Sequence, residues 1–281
     1  MTRPTPQFRP RRAKQPAATK RTRWYLAGAA VLLVAALAGV LTLIFRAGGD
    51  DDLAVPGVTA GQSTGGTAGG PETLVQGPAF AYVIQTGDLG AEFTTNNPET
   101  YRLSALAVAT AYYANVRDGE TELEGWGFRD GYQASVRPQG QAADLVRGSY
   151  YALTETLVFD TVEGARKAYA YIQSHNASVT GSEPQQGALL ANESAAWKFV
   201  QGTIPGSELP AVYHRFVFRR GSMISTVQAF GASQYVTADQ ARDLAVIVDD
   251  KALGKRPAPT PTPPANATLA RPPAATPTPT R

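Results

Sequence analysis

Residues 211–230 read AVYHRFVFRRGSMISTVQAF. Val212, His214, Phe216 and Phe218 alternate with Tyr213, Arg215, Val217 and Arg219, the period-2 pattern of a pleated strand. Arg220-Gly221 is a two-residue turn candidate, and a second β-rich run follows from Met223 to Phe230, so the spacing predicts a hairpin.

Working outward, Ser149 to Phe159 sets Tyr151, Leu153, Leu157 and Phe159 against Tyr150, Thr154 and Thr156, a third strand, and shorter strands are expected at 131–137 and 194–201. Three segments carry helix start signals. Asn97 is followed by Pro98 and an apolar spacing through Leu103, Leu106, Ala107, Tyr113 and Ala114. Asp160 with Glu163 forms a capping-box pattern before Val162, Ala165, Ala168, Tyr169 and Ile172. Thr237 with Gln240 repeats the device before Ala241, Leu244, Ala245 and Val248, and Gly254 lies just past the end. The expected fold is α+β, an antiparallel sheet with helices packed on one face, in one domain over residues 78–253.

Composition changes sharply on both sides of that domain. Residues 46–77 hold nine glycines without periodicity, a flexible linker with a reach of roughly 31 Å. Residues 254–281 hold nine prolines, mostly in Pro-Thr pairs, and read as a disordered tail favouring extended polyproline II. Asn176, Asn192 and Asn266 each begin an N-glycosylation tripeptide, a pattern common by chance.

From Trp24 to Phe45 runs WYLAGAAVLLVAALAGVLTLIF, 22 residues without a charge. At about 1.5 Å per residue it covers roughly 33 Å, enough to cross the bilayer once as a transmembrane helix. Residues 1–23 carry eight basic and no acidic side chains, whereas Arg46 is soon followed by Asp50, Asp51 and Asp52. Positive charge stays inside, so the sequence predicts a cytoplasmic N-terminus, a signal anchor in the plasma membrane and an extracytoplasmic domain. A cleaved signal peptide, with Ala36-Leu37-Ala38 as cleavage site, is the rival reading; the apolar run continues past it through Val40, Leu41, Leu43, Ile44 and Phe45. Ala35 and Gly39 form a small-xxx-small pair of the kind that lets helices approach closely. The basic stretch is explained by topology and lipid attraction, and no nucleic-acid partner is expected: residues 78–253 hold 13 basic and 19 acidic side chains.

Chemistry-bearing patterns are sparse. With no cysteine in the chain, disulfides, thiolate metal sites and a Cys nucleophile are excluded. No Walker A, dinucleotide or HExxH motif occurs, no Ser stands at a strand-to-helix turn with the glycines of a nucleophile elbow, and no cofactor or metal is expected. Asp118, Glu120, Glu122 and Glu124 alternate as calcium ligands do, but they lack the glycine and glutamate of a calcium loop and read as a solvated loop. His175 is expected just past a helix end, and His214 packed in the core beside Phe216; an envelope hydrolase using either is the alternative function. Trp126 and Trp197 read as core. The remaining candidate is a binding face. Arg215, Arg219 and Arg220 lie on or beside one hairpin, Tyr150 and Tyr213 are expected to share the sheet's outer side, and such a face can hold an anionic or aromatic ligand.

FRRGSMISTVQAFG, followed by the helix DQARDLAVIVDDKAL, resembles the exported sensor-like and lipoprotein-type domains of bacteria. In these the last hairpin turns at Arg-Gly and the last helix ends in an LAxxxxDxxL-like pattern, here Leu244, Ala245, Asp250 and Leu253. Gly87-Asp88-Leu89 and Trp126-Gly127 before Gly131-Tyr132 look similar to the same group. The resemblance implies an α+β sandwich in an extracytoplasmic protein and supplies no catalytic residues. Lipoprotein members carry a lipid-bearing Cys; here the membrane helix would replace it. The expected function is a binding, sensory or scaffold module of the cell envelope, with the lipid bilayer as one partner and an envelope or cell-wall component as another. A structural tether through the Pro/Thr-rich tail is a further alternative.

Overall fold

The computed structural model describes residues 72–257 apart from 141, 188 and 205. The expected span Trp24–Phe45, the basic segment before it, most of the Gly-rich segment and the Pro/Thr-rich run from 258 lie outside the described residues. Among the described residues no helix is long and apolar enough to cross a membrane.

One antiparallel sheet is built from β1 (Phe93–Thr95), β2 (Tyr101–Leu103), β3 (Phe128–Pro138), β4 (Tyr151–Phe159), β5 (Ser182–Gln185), β6 (Glu193–Thr203), β7 (Pro210–Arg220) and β8 (Met223–Ala232). The order is β1-β3-β4-β8-β7-β6-β5, with β2 also pairing β3. The helices are α1 (Thr86–Leu89), α2 (Ala105–Tyr112), α3 (Val116–Gly125), α4 (Val162–Ser178) and α5 (Ala238–Ala252), with 3-10 turns at Ala79–Tyr82, Asn97–Glu99 and Ala142–Arg147.

The expected hairpin is present. Its pairing runs from Ala211↔Ala232 to Arg220↔Met223, so the turn is Gly221-Ser222, one residue beyond Arg220-Gly221. Gly221 adopts φ +53°, and a Cβ there would stand 1.7 Å from the carbonyl oxygen of Thr73. That contact belongs to a strap. Val75 N donates to Ser222 Oγ at 2.9 Å, and Arg129 Nη2 donates to the carbonyls of Val75 and Gly77 at 2.9 and 3.2 Å. Glu72 accepts from Arg219 at 2.6 Å and Arg166 at 2.9 Å. Residues 72–77, the end of the Gly-rich segment, are thus fastened across the hairpin turn.

Helices cover both faces of the sheet, correcting the expected single helical layer. On one side Ala241, Leu244, Ala245 and Val248 of α5 pack with Val158, Phe216, Phe218 and Val227. On the other, α2, α3 and α4 bring Val108, Leu123, Ala165, Tyr169 and Ile172 onto Leu157, Phe159, Val217 and Ile224. The cause is legible in β4, β7 and β8, each of which carries buried apolar side chains in both registers: Val158 beside Leu157 and Phe159, Phe216 and Phe218 beside Val217, Met223 and Val227 beside Ile224; a strand buried on both faces needs cover on both. A third cluster, Leu145, Ile204, Ala211 and Ala232, closes one end.

Helix starts also move. Asn97–Glu99 is a 3-10 turn, and Tyr101–Leu103 is drawn into the sheet opposite Gly131–Gln133, so the helix begins at Ala105 with Ser104 as cap, its Oγ accepting from Ala107 N at 3.2 Å. Thr161, not Asp160, caps α4, with Oγ1 accepting from Gly164 N at 2.9 Å. Thr237 and Gln240 form the expected capping box of α5. The acidic run 118–124, read as a loop, is helical: Asn115 caps α3 and Leu123 anchors it in the core.

Candidate functional site

Alternation along β7 sends its three arginines to different surroundings. Arg220 points toward α5, where Nε and Nη2 donate to the two carboxylate oxygens of Asp249 at 2.7 and 2.6 Å, both side chains under one-tenth exposed. Arg219 points to the opposite face and is 1% exposed. Its Nε meets Glu193, its Nη2 meets Glu72 at 2.6 Å and its Nη1 donates to the Gly221 carbonyl at 3.0 Å. Hydrogen bonding to Arg219 holds the Glu72 carboxyl below its ordinary value.

Arg215 shares the face of Arg219 but is half-buried and differently held. Nη1 donates to Asn176 Oδ1, Nη2 reaches Gln228 Oε1 at 3.3 Å, and the guanidinium lies 5.0 Å from the centre of the Phe199 ring. Among the described residues it meets no carboxylate in an ion pair, and its buried Nε has no hydrogen-bond partner. Asn176, fully buried in α4, has an unpartnered Nδ2, and that burial removes it from the accessible glycosylation acceptors.

Beside Arg215 the sheet is only partly covered. Leu153, Tyr151, Tyr213, Gln228 and Phe230 are half-buried, Tyr213 and Phe230 have ring centres 4.4 Å apart, and Tyr151 stacks on Phe230 at 5.9 Å. Tyr150 lies on the other side, 5.4 Å from the Phe93 ring, because it neighbours Tyr151 on an alternating strand; it does not share a face with Tyr213. Of the five binding residues proposed from sequence, the structure brings together Arg215 and Tyr213. Arg219, itself buried, is taken by the more exposed carboxylates of Glu72 and Glu193, Arg220 is in a buried pair with Asp249, and Tyr150 is behind the sheet.

The sequence reading missed Glu155. On β4 it occupies the register of Leu153, Leu157 and Phe159, and it is 7% exposed. Tyr112 Oη donates to its Oε1 at 3.0 Å. Burial pushes the Glu155 carboxyl up to about 7, against the Tyr112 hydrogen bond and the charge of Arg215, which pull it down. Burial likewise raises the Tyr112 hydroxyl well above its usual range, and Tyr213 up to about 12. The available signal was a carboxylate standing in an apolar register of YALTETLVF.

His175 sits within the last turn of α4 rather than past it, edge-on to Tyr112 with ring centres 5.4 Å apart. Burial brings it down to about 4, with Arg215 acting in the same direction and a hydrogen bond to the Tyr112 backbone opposing. His214, 7% exposed and on the α5 side, is lowered by burial and then by Lys198. Trp197 is buried and Trp126 half-buried against the same helical layer. Among the described residues no three His, Asp or Glu side chains converge as metal ligands.

The fold and this face define an α+β domain with a two-sided helical cover and one partly open sheet region. The chain matches no known family model, and no curated protein matches it. Among solved structures it is similar to the extracellular domain of PknH from Mycobacterium tuberculosis, with 14% identity over 62% of this chain and 94% of that one, at a TM-score of 0.36. A likeness of that size transfers no activity and no residue role.

Proposed function

We propose that the chain is a single-pass protein of the bacterial cell envelope, held by Trp24 to Phe45 with its N-terminus in the cytoplasm. In this reading the α+β domain is displayed outside as a binding module with a sensory or scaffold role, and it binds without catalysing. Support for the topology comes from the uncharged span and the eight basic residues before it. The binding role rests on one observation: Arg215 is half-buried beside Tyr213 and Phe230, held by neutral amides and without an ion-pair partner among the described residues.

Two measurements test the reading. A reporter fused after Arg281 should be active only when exported; activity confined to the cytosol removes the localisation. A ligand screen by thermal shift on the full chain in detergent should yield compounds that raise the melting point of the parent and not of a Tyr213→Ala variant, since binding to the native state alone stabilises it. Hits indifferent to Tyr213 would move the site elsewhere.

A further inference from the structure

Arg215, Arg219 and Arg220 lie within six residues of one strand and provide an internal comparison. A guanidinium presents Nε–H and Nη2–H on one edge, spaced to match the two oxygens of a carboxylate. On Arg220 that edge holds Asp249 in bidentate fashion, at 2.7 and 2.6 Å. On Arg219 it holds two carboxylates, Glu193 at Nε and Glu72 at Nη2. On Arg215 it holds neither: Nη2 has the Gln228 amide oxygen at 3.3 Å, and Nε is buried with no hydrogen-bond partner among the described residues. Asn176, which orients Nη1 through its Oδ1, is fully buried, and its Nδ2 has no hydrogen-bond partner among the described residues. Each unmet buried donor costs about 1–3 kcal/mol.

Neighbouring groups give Arg215 no ion-pair contact among the described residues. His175 faces Arg215 from α4 as a ring that burial keeps neutral near pH 7. Glu155, on β4, is engaged by Tyr112 from α2, and its burial favours the protonated form up to about pH 7. Tyr213 and Phe230 supply an aromatic wall rather than a counter-ion.

We infer that the Nε/Nη2 edge of Arg215 is the seat of a ligand carboxylate, carried on an aromatic or apolar body that lies along Tyr213 and Phe230. This rests on the reading of the open sheet region as the binding face and names the class of ligand it takes. Gln228 is the side chain that moves: it is half-buried, covers the edge through the 3.3 Å contact, and gives way to an ionised acceptor, which bonds a guanidinium about twice as strongly as an amide does.

The test uses the full chain in detergent micelles, with benzoate as probe, benzamide as its uncharged analogue and inorganic phosphate as a tetrahedral anion, followed by calorimetric titration. Benzoate is expected to bind at least about tenfold more tightly than either control, and Arg215→Lys, which keeps the charge and removes the fork, to lose about tenfold. Gln228→Ala uncovers the edge and should tighten benzoate about threefold or more. Equal binding of benzoate and benzamide, both weakened by Tyr213→Ala, overturns the carboxylate assignment while the face stands as a binding surface. Benzoate binding unchanged in both Arg215→Lys and Tyr213→Ala overturns the assignment and the face together. Absence of benzoate binding, or tighter binding of phosphate, also overturns the assignment. Should Arg215→Lys fail to fold, Gln228→Ala decides: affinity for benzoate no higher than that of the parent sinks the proposal.

Discussion

Arg220 and Asp249 join β7 to α5 through two parallel hydrogen bonds of 2.7 and 2.6 Å, inside a layer from which water is nearly excluded. The pair fixes where the last helix docks. Removing one partner strands the other charge in the apolar cluster, so Asp249→Ala should cost about 3–5 kcal/mol in thermal or denaturant unfolding. Replacing both, Arg220→Met with Asp249→Leu, removes the stranded charge and should recover most of that loss. A single variant as stable as the parent would show that the pair does not carry the docking.

The hairpin turn and the strap over it make a second stability point. At Gly221 a methyl group would meet the Thr73 carbonyl at 1.7 Å, and the backbone is in the left-handed region that favours glycine. Gly221→Ala should therefore cost about 2 kcal/mol or more and lift residues 72–77 from the turn, read as faster amide exchange at Val75, whose N–H now bonds Ser222 Oγ.

A smaller effect separates the two candidate starts of α2. Ser104→Ala removes the oxygen that accepts from Ala107 N and should cost about 1 kcal/mol, whereas Asn97→Ala, seven residues upstream in a 3-10 turn, should not change the helix. Equal losses would return the helix start to Asn97.

Much of the domain was legible because the hydrophobic period was strong where the core is. The β7–β8 hairpin, the β4 strand and the capping box at Thr237 and Gln240 were read from local pattern alone. What escaped depended on distant pairing. Tyr101–Leu103 sits in a helix-like spacing, yet β3 offers its backbone a partner, and pairing overrides local preference. β5 contains Pro184, a residue disfavoured in strands, and drew no strand expectation; it pairs along the edge of β6. The run of alternating acids at 118–124 hides a helix whose burial rests on Leu123. At the site, the arginines were found by type, but a one-residue alternation decides that Arg215 faces the open region while Arg220 is consumed by Asp249. Glu155 escaped because its partner, Tyr112 on α2, is 43 residues away and is brought to it only by the fold.

That partner now defines a pH experiment in which two buried groups act in opposite directions. The Glu155 carboxyl is raised from about 4.5 when unfolded to about 7 in the fold, so between those values the native state binds the additional proton and stability falls as pH rises. His175 is lowered from about 6.5 to about 4, so over that window the unfolded state binds the additional proton and stability rises with pH. The two slopes largely offset each other in the parent between about pH 4.5 and 6.5. Glu155→Gln keeps an acceptor for the Tyr112 hydroxyl and removes one slope: its stability relative to the parent should increase from pH 4.5 to 7 by up to about 3 kcal/mol and then level off. His175→Gln should do the converse, losing its relative advantage at pH 4 as pH rises to 6.5. Denaturant midpoints taken at half-unit pH intervals check both, and a difference between parent and Glu155→Gln that stays constant across the range would mean that the carboxyl is ionised within the fold.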